Sequence, residues 1–303
     1  MFKHLVTRYT YLKMDSPSNA VFNIKTFAFF DLETTGLPFQ ENNTTKITEL
    51  CLTTVHAEHI RLGVFPRVQN KLSLCFNPWK LISEDSEKLT GLSNSLLEQS
   101  SRFSKETVAA INSFLSHNPQ PICLVAHNGN HFDYPLFKRE IEKTNCSLLD
   151  NILCVDSLLA FREIEKNQRN EITKQNIDEV DRSVPVEFTP KYDELLFSCE
   201  AQAKNETTPR KQIIRQTDTS TPTKKLKPIV PKILNFSGGY KLGDVYSRLT
   251  KKEPIGAHQA DADAQMLIMC AATLGDTFVD WCNQNAKKLC DIPTMVPGRK
   301  IGT

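Results

Sequence analysis

Apolar and polar positions divide the chain into short runs. Phe27-Ala28-Phe29-Phe30-Asp31-Leu32-Glu33 is short, aromatic and nearly continuous, which predicts a buried strand; Thr34-Thr35-Gly36-Leu37-Pro38 ends it. Ile47 to His56 and the alternating Lys71 to Phe76 read as two further strands, making an antiparallel meander of three. Ser83, Glu87 and the apolar pattern up to Leu97 predict brief helices. Val108, Ile111 and Leu115 repeat at amphipathic helix spacing. Pro121 to Ala126 is a second buried strand, Phe132 to Ile141 a helix, and Cys154-Val155-Asp156 a short strand leading into a helix through Phe161. After a long polar stretch, order resumes at Tyr240-Lys241-Leu242-Gly243. Helices follow over about Ala260 to Leu274 and about Thr277 to Lys288. A meander followed by alternating helix and strand predicts an α/β fold with a central mixed sheet flanked by helices.

Composition narrows the organisation. With 303 residues, 40% of them hydrophobic, and a net charge of +2, the chain has the material for a core. Residues 1–22 read as a flexible, basic N-terminal tail and residues 291–303 as a C-terminal tail. The domain between them, 23–290, is interrupted at about 165–235 by a polar, disordered insertion. Within that region, Glu163 to Glu200 carries ten acids and five bases, and Lys204 to Lys232 two acids and eight bases. The basic piece suits phosphate contact, a solvated linker, or nuclear import around Lys224-Lys225-Leu226-Lys227. No apolar run reaches the roughly 18 residues of a membrane span; Ala264 to Leu274 comes nearest and Gln265 breaks it, so no membrane association is expected. Nine cysteines, odd in number and with no C-x-x-C pair, read as free thiols of a reducing compartment, cytoplasmic and/or nuclear.

The candidate chemistry lies in carboxylates. Alternation along the first strand puts Phe27, Phe29, Asp31 and Glu33 on one face, so two acids emerge together at its C-terminal end, the end where α/β sheets place ligands. Adjacent carboxylates repel, and a divalent cation with a preference for hard oxygen donors removes the conflict. Asp133 opens a helix after the turn Asn128-Gly129-Asn130 and shares the apolar face of Leu136, Phe137 and Ile141. Asp263 precedes Leu267 by four residues on the buried face of a late helix, whereas Asp261 points away. His258 lies just before that helix, within reach of the same cleft. Four inward acids and one histidine are the composition of a two-metal phosphodiesterase site.

With those residues assembled, the chain resembles the DEDDh 3′→5′ exonucleases, and within them the three-prime repair exonuclease family. FFDLETTGLPF, KITELCLTTVH, KLSLCFNP, KLTGLSNSLL, VAHNGNHFDYPLF, CVDSLLAF, YKLGDVYSRL and HQADADAQMLIMCA match its segments in order. The resemblance implies an RNase H-like exonuclease fold, with Asp31, Glu33, Asp133 and Asp263 holding two Mg²⁺ ions (Mn²⁺ substituting) and His258 as general base. It implies removal of nucleoside 5′-monophosphates from the 3′ ends of single- and double-stranded DNA. The terminal nucleotide would contact Glu33, Thr34 and His258, with Leu37 and Leu89 as apolar wedges and Phe132 against the terminal sugar and base. It also implies a homodimer paired through Lys71 to Phe76. In the turn before Asp133, Asn130 and His131 stand where the family usually carries an acid and an arginine. An RNA exonuclease of the same group, or an inactive nucleic-acid-binding adaptor, are the alternatives.

Overall fold

The computed structural model describes residues 21–178 and 239–299. The elements run β1 (Thr26–Thr34), β2 (Ile47–His56), α1 (Ala57–Arg61), β3 (Asn70–Cys75), α2 (Glu84–Thr90), α3 (Lys105–Ser116), β4 (Ile122–Ala126), α4 (Asp133–Glu142), β5 (Leu153–Asp156) and α5 (Ser157–Asp178). After these come α6 (Leu242–Thr250), α7 (Ala260–Leu274), α8 (Asp276–Asn285), β6 (Lys287–Lys288) and a 3₁₀ turn at Leu289–Asp291. The six strands order as β3-β2-β1-β4-β5-β6. The first three form the antiparallel meander, β1, β4 and β5 are parallel, and β6 closes the far edge antiparallel to β5. This is the RNase H-like arrangement expected, and the parallel neighbours place the ends of β1 and β4 on one rim.

Alternation sorts the strand residues between two cores. Phe27 and Phe29 of β1 with Cys51 and Val55 of β2 pack under α7 and α8, against Leu267, Ile268, Ala271 and Phe278. Ala28, Phe30 and Leu32 with Leu50 and Leu52 pack against Val108, Ile111 and Leu115 of α3 and Tyr134 and Phe137 of α4. Asp31 and Glu33 extend the first set along the strand, so the helix covering their face is α7.

Three boundaries differ from expectation. The helix after β5 does not stop at Phe161 but runs to Asp178, so the first part of the stretch expected to be a disordered insertion is helical. Ile164 and Glu165 are both buried. Glu165 accepts hydrogen bonds from the Tyr240 hydroxyl at 2.8 Å and from Arg248 Nη2 at 3.0 Å, so α5 carries the side chain that fastens the returning chain. The helix expected through Lys288 ends at Asn285, and Lys287–Lys288 pair with β5. The expected C-terminal tail is docked as far as residue 299: Ile292 and Met295 are buried, and the Met295 and Gly298 amides donate to Pro135 and Asn42 carbonyls at 3.0 and 2.8 Å. The basic stretch Lys204 to Lys232, Cys199, the rest of the expected insertion and residues 1–20 lie outside the described residues. Among the described cysteines, Cys51, Cys123, Cys154, Cys270 and Cys282 are buried free thiols, and Cys75, Cys146 and Cys290 are exposed. No helix among the described residues is long and apolar enough to cross a membrane.

Candidate active site

At the C-terminal end of β1, carboxylate oxygens of Asp31, Glu33 and Asp263 lie within 4.8 Å of one another. Two come from one strand at i and i+2, the third from the first turn of α7. Small residues let that helix sit close over the strand: Ala260, Ala264 and Ala271 are fully buried along its inner side. Asp261 stays outside this cluster and pairs instead with Lys71 of β3. Immediately past the acids the ladder shifts register between Glu33 and Thr34, which ends regular pairing where the site begins.

Asp133 enters from the other side of the strand end, held by its turn. Asn128 has φ +61°. A Cβ on Gly129 would stand 2.7 Å from both Ala126 Cβ and Tyr134 Cε2, so only glycine fits there. The Asp156 carboxylate at the end of β5 accepts the Asn128 and Asn130 amides at 3.0 and 3.2 Å. The buried Tyr134 hydroxyl accepts the Ala126 amide at 2.9 Å and donates to the Val155 carbonyl at 2.6 Å. This frame locks the first turn of α4, leaving Asp133 2% exposed and its Oδ1 buried without a hydrogen-bond partner.

His258 occupies the loop before α7 with φ +68°. Its amide donates to Asp263 Oδ2 at 3.0 Å, while the side chain remains exposed to solvent. The histidine is thus tied through its backbone to one of the clustered acids.

These acids repel one another in a dry setting. Burial raises Asp31 well above the ordinary carboxylate range, reinforced by Asp133, Asp263, Glu33 and Glu49. Glu33 is pushed up to about 8 by burial and then by Asp263, Glu49 and Asp133. Burial pushes Asp133 up to about 8, its own amide and that of Leu32 opposing the rise and Asp156 adding to it. Asp263 is raised by burial despite the His258 amide. An orphaned buried carboxylate oxygen beside three converging ones, all hard donors and all disfavouring unscreened charge, fits a divalent-cation centre.

No family model matches the chain. Three-prime repair exonuclease 1 of Bos taurus is 30% identical over 286 residues, covering 90% of this chain and 70% of that protein. The chain belongs to the three-prime repair exonuclease family. Three prime repair exonuclease 2 of Homo sapiens is 28% identical over 281 residues, 89% of this chain and 92% of that protein. Among solved structures, exonuclease I aligns with a TM-score of 0.49 at 13% identity, over 85% of this chain and 43% of that one. The E. coli enzyme in complex with a dT13 oligonucleotide aligns with a TM-score of 0.46 at 15% identity.

In this family member the substrate-contact residues expected from sequence differ in exposure. Thr34 is buried, its hydroxyl donating to the Gly36 carbonyl at 3.1 Å. The Ser83 amide donates to the Thr35 carbonyl at 2.8 Å and the Ser86 hydroxyl to the Thr34 carbonyl, which fastens α2 over the strand end. Leu37 and Leu89 accordingly stand out as exposed apolar side chains, 47% and 57% accessible. Phe132 is the half-buried residue before α4. Two functional side chains escaped the sequence reading. Asp156 organises the turn of Asp133. Glu49 lies directly across from Glu33 and accepts the Ala260 amide at 3.3 Å, joining β2 to the start of α7. Period-two alternation from Cys51 on β2 would have placed Glu49 on the acidic face.

Proposed function

We propose that this protein is a divalent-metal-dependent 3′→5′ exonuclease acting on DNA, releasing nucleoside 5′-monophosphates, with His258 as general base. The observation that carries the reading is the convergence of Asp31, Glu33 and Asp263 within 4.8 Å, with the orphaned Asp133 beside them, in a member of this family. Two Mg²⁺ or Mn²⁺ ions, which Asp31, Glu33, Asp133 and Asp263 would hold, would neutralise the charge that develops on the attacking and leaving oxygens.

The remaining work falls to the chain itself. The main chain at Glu33 and Thr34 holds the terminal nucleotide against the strand end. Leu37 and Leu89 separate the last bases, and Phe132 packs on the terminal sugar, contacts that any base satisfies. The His258 imidazole accepts the proton of the attacking water as its oxygen bonds to phosphorus. The P–O3′ bond breaks, the 3′ oxygen takes a proton from solvent, and the chain is left one nucleotide shorter with a free 3′-hydroxyl. The homodimer is part of the same reading. It is supported by β3, which among the described residues stands at the edge of the sheet, where strand addition can occur.

A time course on 3′-labelled single- and double-stranded DNA, with an RNA of the same sequence alongside, tests it. Mononucleotides should appear stepwise from DNA, depend on Mg²⁺ or Mn²⁺, stop in EDTA, and slow by about 10²- to 10⁴-fold in His258→Ala. Activity that survives EDTA, or Asp31→Ala with full activity, refutes the site; faster digestion of RNA reassigns the substrate. Light scattering at micromolar concentration tests the dimer, a monomeric mass excluding it.

A further inference from the structure

We propose that Trp79 and Arg102 form a second contact for single-stranded DNA, gripping the strand a few nucleotides upstream of the 3′ end; this rests on the DNA substrate read above. Trp79 has φ +49°, a backbone conformation that bulky side chains rarely adopt. The residue is 73% exposed, so it contributes little to the core. The other tryptophan, Trp281, donates its indole N–H to Glu163 at 2.8 Å. The unfavourable backbone at Trp79 is held by the Asn77 side chain, which accepts the Trp79 amide at 3.0 Å and donates to the Glu98 carbonyl at 3.0 Å. The fold thus fixes a large flat ring toward solvent at a position where glycine would fit without strain.

Charge around the ring points to an anion. The Arg102 guanidinium lies over the indole and has no carboxylate ion-pair partner among the described residues. Beneath them opens a cleft of about 270 Å³ lined also by Lys46, Glu140 and Lys143. Glu140 already accepts three cations, Lys46, Lys143 and Arg139, at 2.8 to 3.1 Å, so the cleft has a surplus of positive charge. A stacking surface beside unneutralised cations is the chemistry of a single strand: a base on the ring, phosphates along the cations. The placement agrees. α4 carries Asp133 in its first turn and Glu140 seven residues later, about 10 Å along the axis, within reach of a strand whose 3′ end sits at the acids.

The test uses the full chain in Ca²⁺ to slow hydrolysis, with (dT)₁₂ and (dT)₂ as probes. Binding of (dT)₁₂, followed by anisotropy, should quench tryptophan fluorescence in the wild type and in Trp281→Phe but not in Trp79→Gly. Trp79→Gly relieves the backbone, so it folds; it should weaken (dT)₁₂ about tenfold and collapse the ratio of (dT)₁₂ to (dT)₂ affinity. Arg102→Ala should lower the salt slope for (dT)₁₂ by about one. Wild-type (dT)₁₂ binding without quenching, or Trp79→Gly binding (dT)₁₂ as tightly as wild type, overturns the contact while leaving the nuclease reading intact. If the wild type neither binds (dT)₁₂ nor releases nucleotides from DNA in Mg²⁺, the nuclease reading falls first and the contact with it.

Discussion

Glu33 and Glu49 are direct cross-strand partners on adjacent antiparallel strands, two carboxylates on one face of the sheet. Like charges in that relation are destabilising. The protein answers on one side with the Ala260 amide, which donates to Glu49, and leaves Glu33 to the acidic cluster. Glu49→Gln keeps an oxygen for the Ala260 amide and removes one charge. The metal-free protein should then melt a few degrees higher at pH 8, in line with relief of about 1 kcal/mol. Mn²⁺ should bind severalfold more weakly, because a negative charge near the site is gone. Calorimetry and Mn²⁺ electron paramagnetic resonance read the two effects. A lower melting temperature with unchanged Mn²⁺ affinity would mean that Glu49 acts only as a structural link to α7.

The raised carboxyls set a pH dependence. Glu33 and Asp133 are both pushed up to about 8 by burial and by their acidic neighbours, so the folded protein keeps protons that the unfolded chain has released. The stability these two groups contribute to the metal-free protein is therefore fully present below about pH 4 and is lost as pH rises through 8. A cation competes with those protons, so its affinity should tighten from pH 6.5 to 8.5. At pH 7 its binding should release protons, measurable by calorimetry in buffers of different ionisation enthalpy. EDTA should lower the melting temperature more at pH 8.5 than at 5.5. Metal affinity flat across this range, with no proton release, contradicts the cluster as described.

His127 predicts an opposite slope elsewhere. Its Nε2 lies 2.8 Å from the Tyr240 carbonyl and its Nδ1 3.0 Å from Ser157 Oγ. A carbonyl only accepts, so Nε2 carries the proton; in the neutral ring that burial favours, Nδ1 accepts from the serine hydroxyl. Burial holds its pKa below the ordinary histidine value, the Tyr240 carbonyl opposing. Stability from this group is present above about pH 6.5 and is lost as pH falls through the lower folded value. His127→Gln should flatten the drop in melting temperature between pH 7 and 5 and loosen the chain at Tyr240, seen as faster amide exchange there. An acid limb that keeps its slope in His127→Gln would assign the drop to other groups.

How far the chain could be read in advance follows the range of each interaction. The meander, the parallel strands and the inward faces of α3, α4 and α7 are period-two and period-3.6 patterns local to each segment, so Asp31, Glu33, Asp133 and Asp263 were legible as inward acids before any geometry. What stayed hidden depends on contacts distant in sequence. Glu165 reads as the edge of a polar excursion until Tyr240 and Arg248 return to it. Met295 reads as tail until its amide meets Pro135. Glu49 looked like one acid in an apolar strand, and only the pairing register sets it opposite Glu33. Trp79 gave no periodic signal, because its exposure comes from a single backbone angle.

Gly129 carries the sharpest steric prediction. Any Cβ at this position meets Ala126 Cβ and Tyr134 Cε2 at 2.7 Å, closer than carbon atoms approach in packed interiors. Both neighbours are fixed: Ala126 is the last residue of β4, and the Tyr134 hydroxyl is bonded to Ala126 and Val155. Gly129→Ala must therefore shift the first turn of α4, at a cost of about 1–3 kcal/mol typical of overpacking. Asp133 opens that turn, so the displacement moves a carboxylate of the cluster as well as lowering stability. The expected result is a protein that still folds but loses DNA hydrolysis and binds Mn²⁺ more weakly. Tyr134→Phe provides the comparison, since it breaks the hydroxyl's bonds to Ala126, Leu124 and Val155 while leaving the ring and the clash-free glycine in place. It should lose stability with a smaller loss of Mn²⁺ affinity. If Gly129→Ala melts like the wild type and holds Mn²⁺ as tightly, the turn is softer than its packing implies, and Asp133 is not positioned by it.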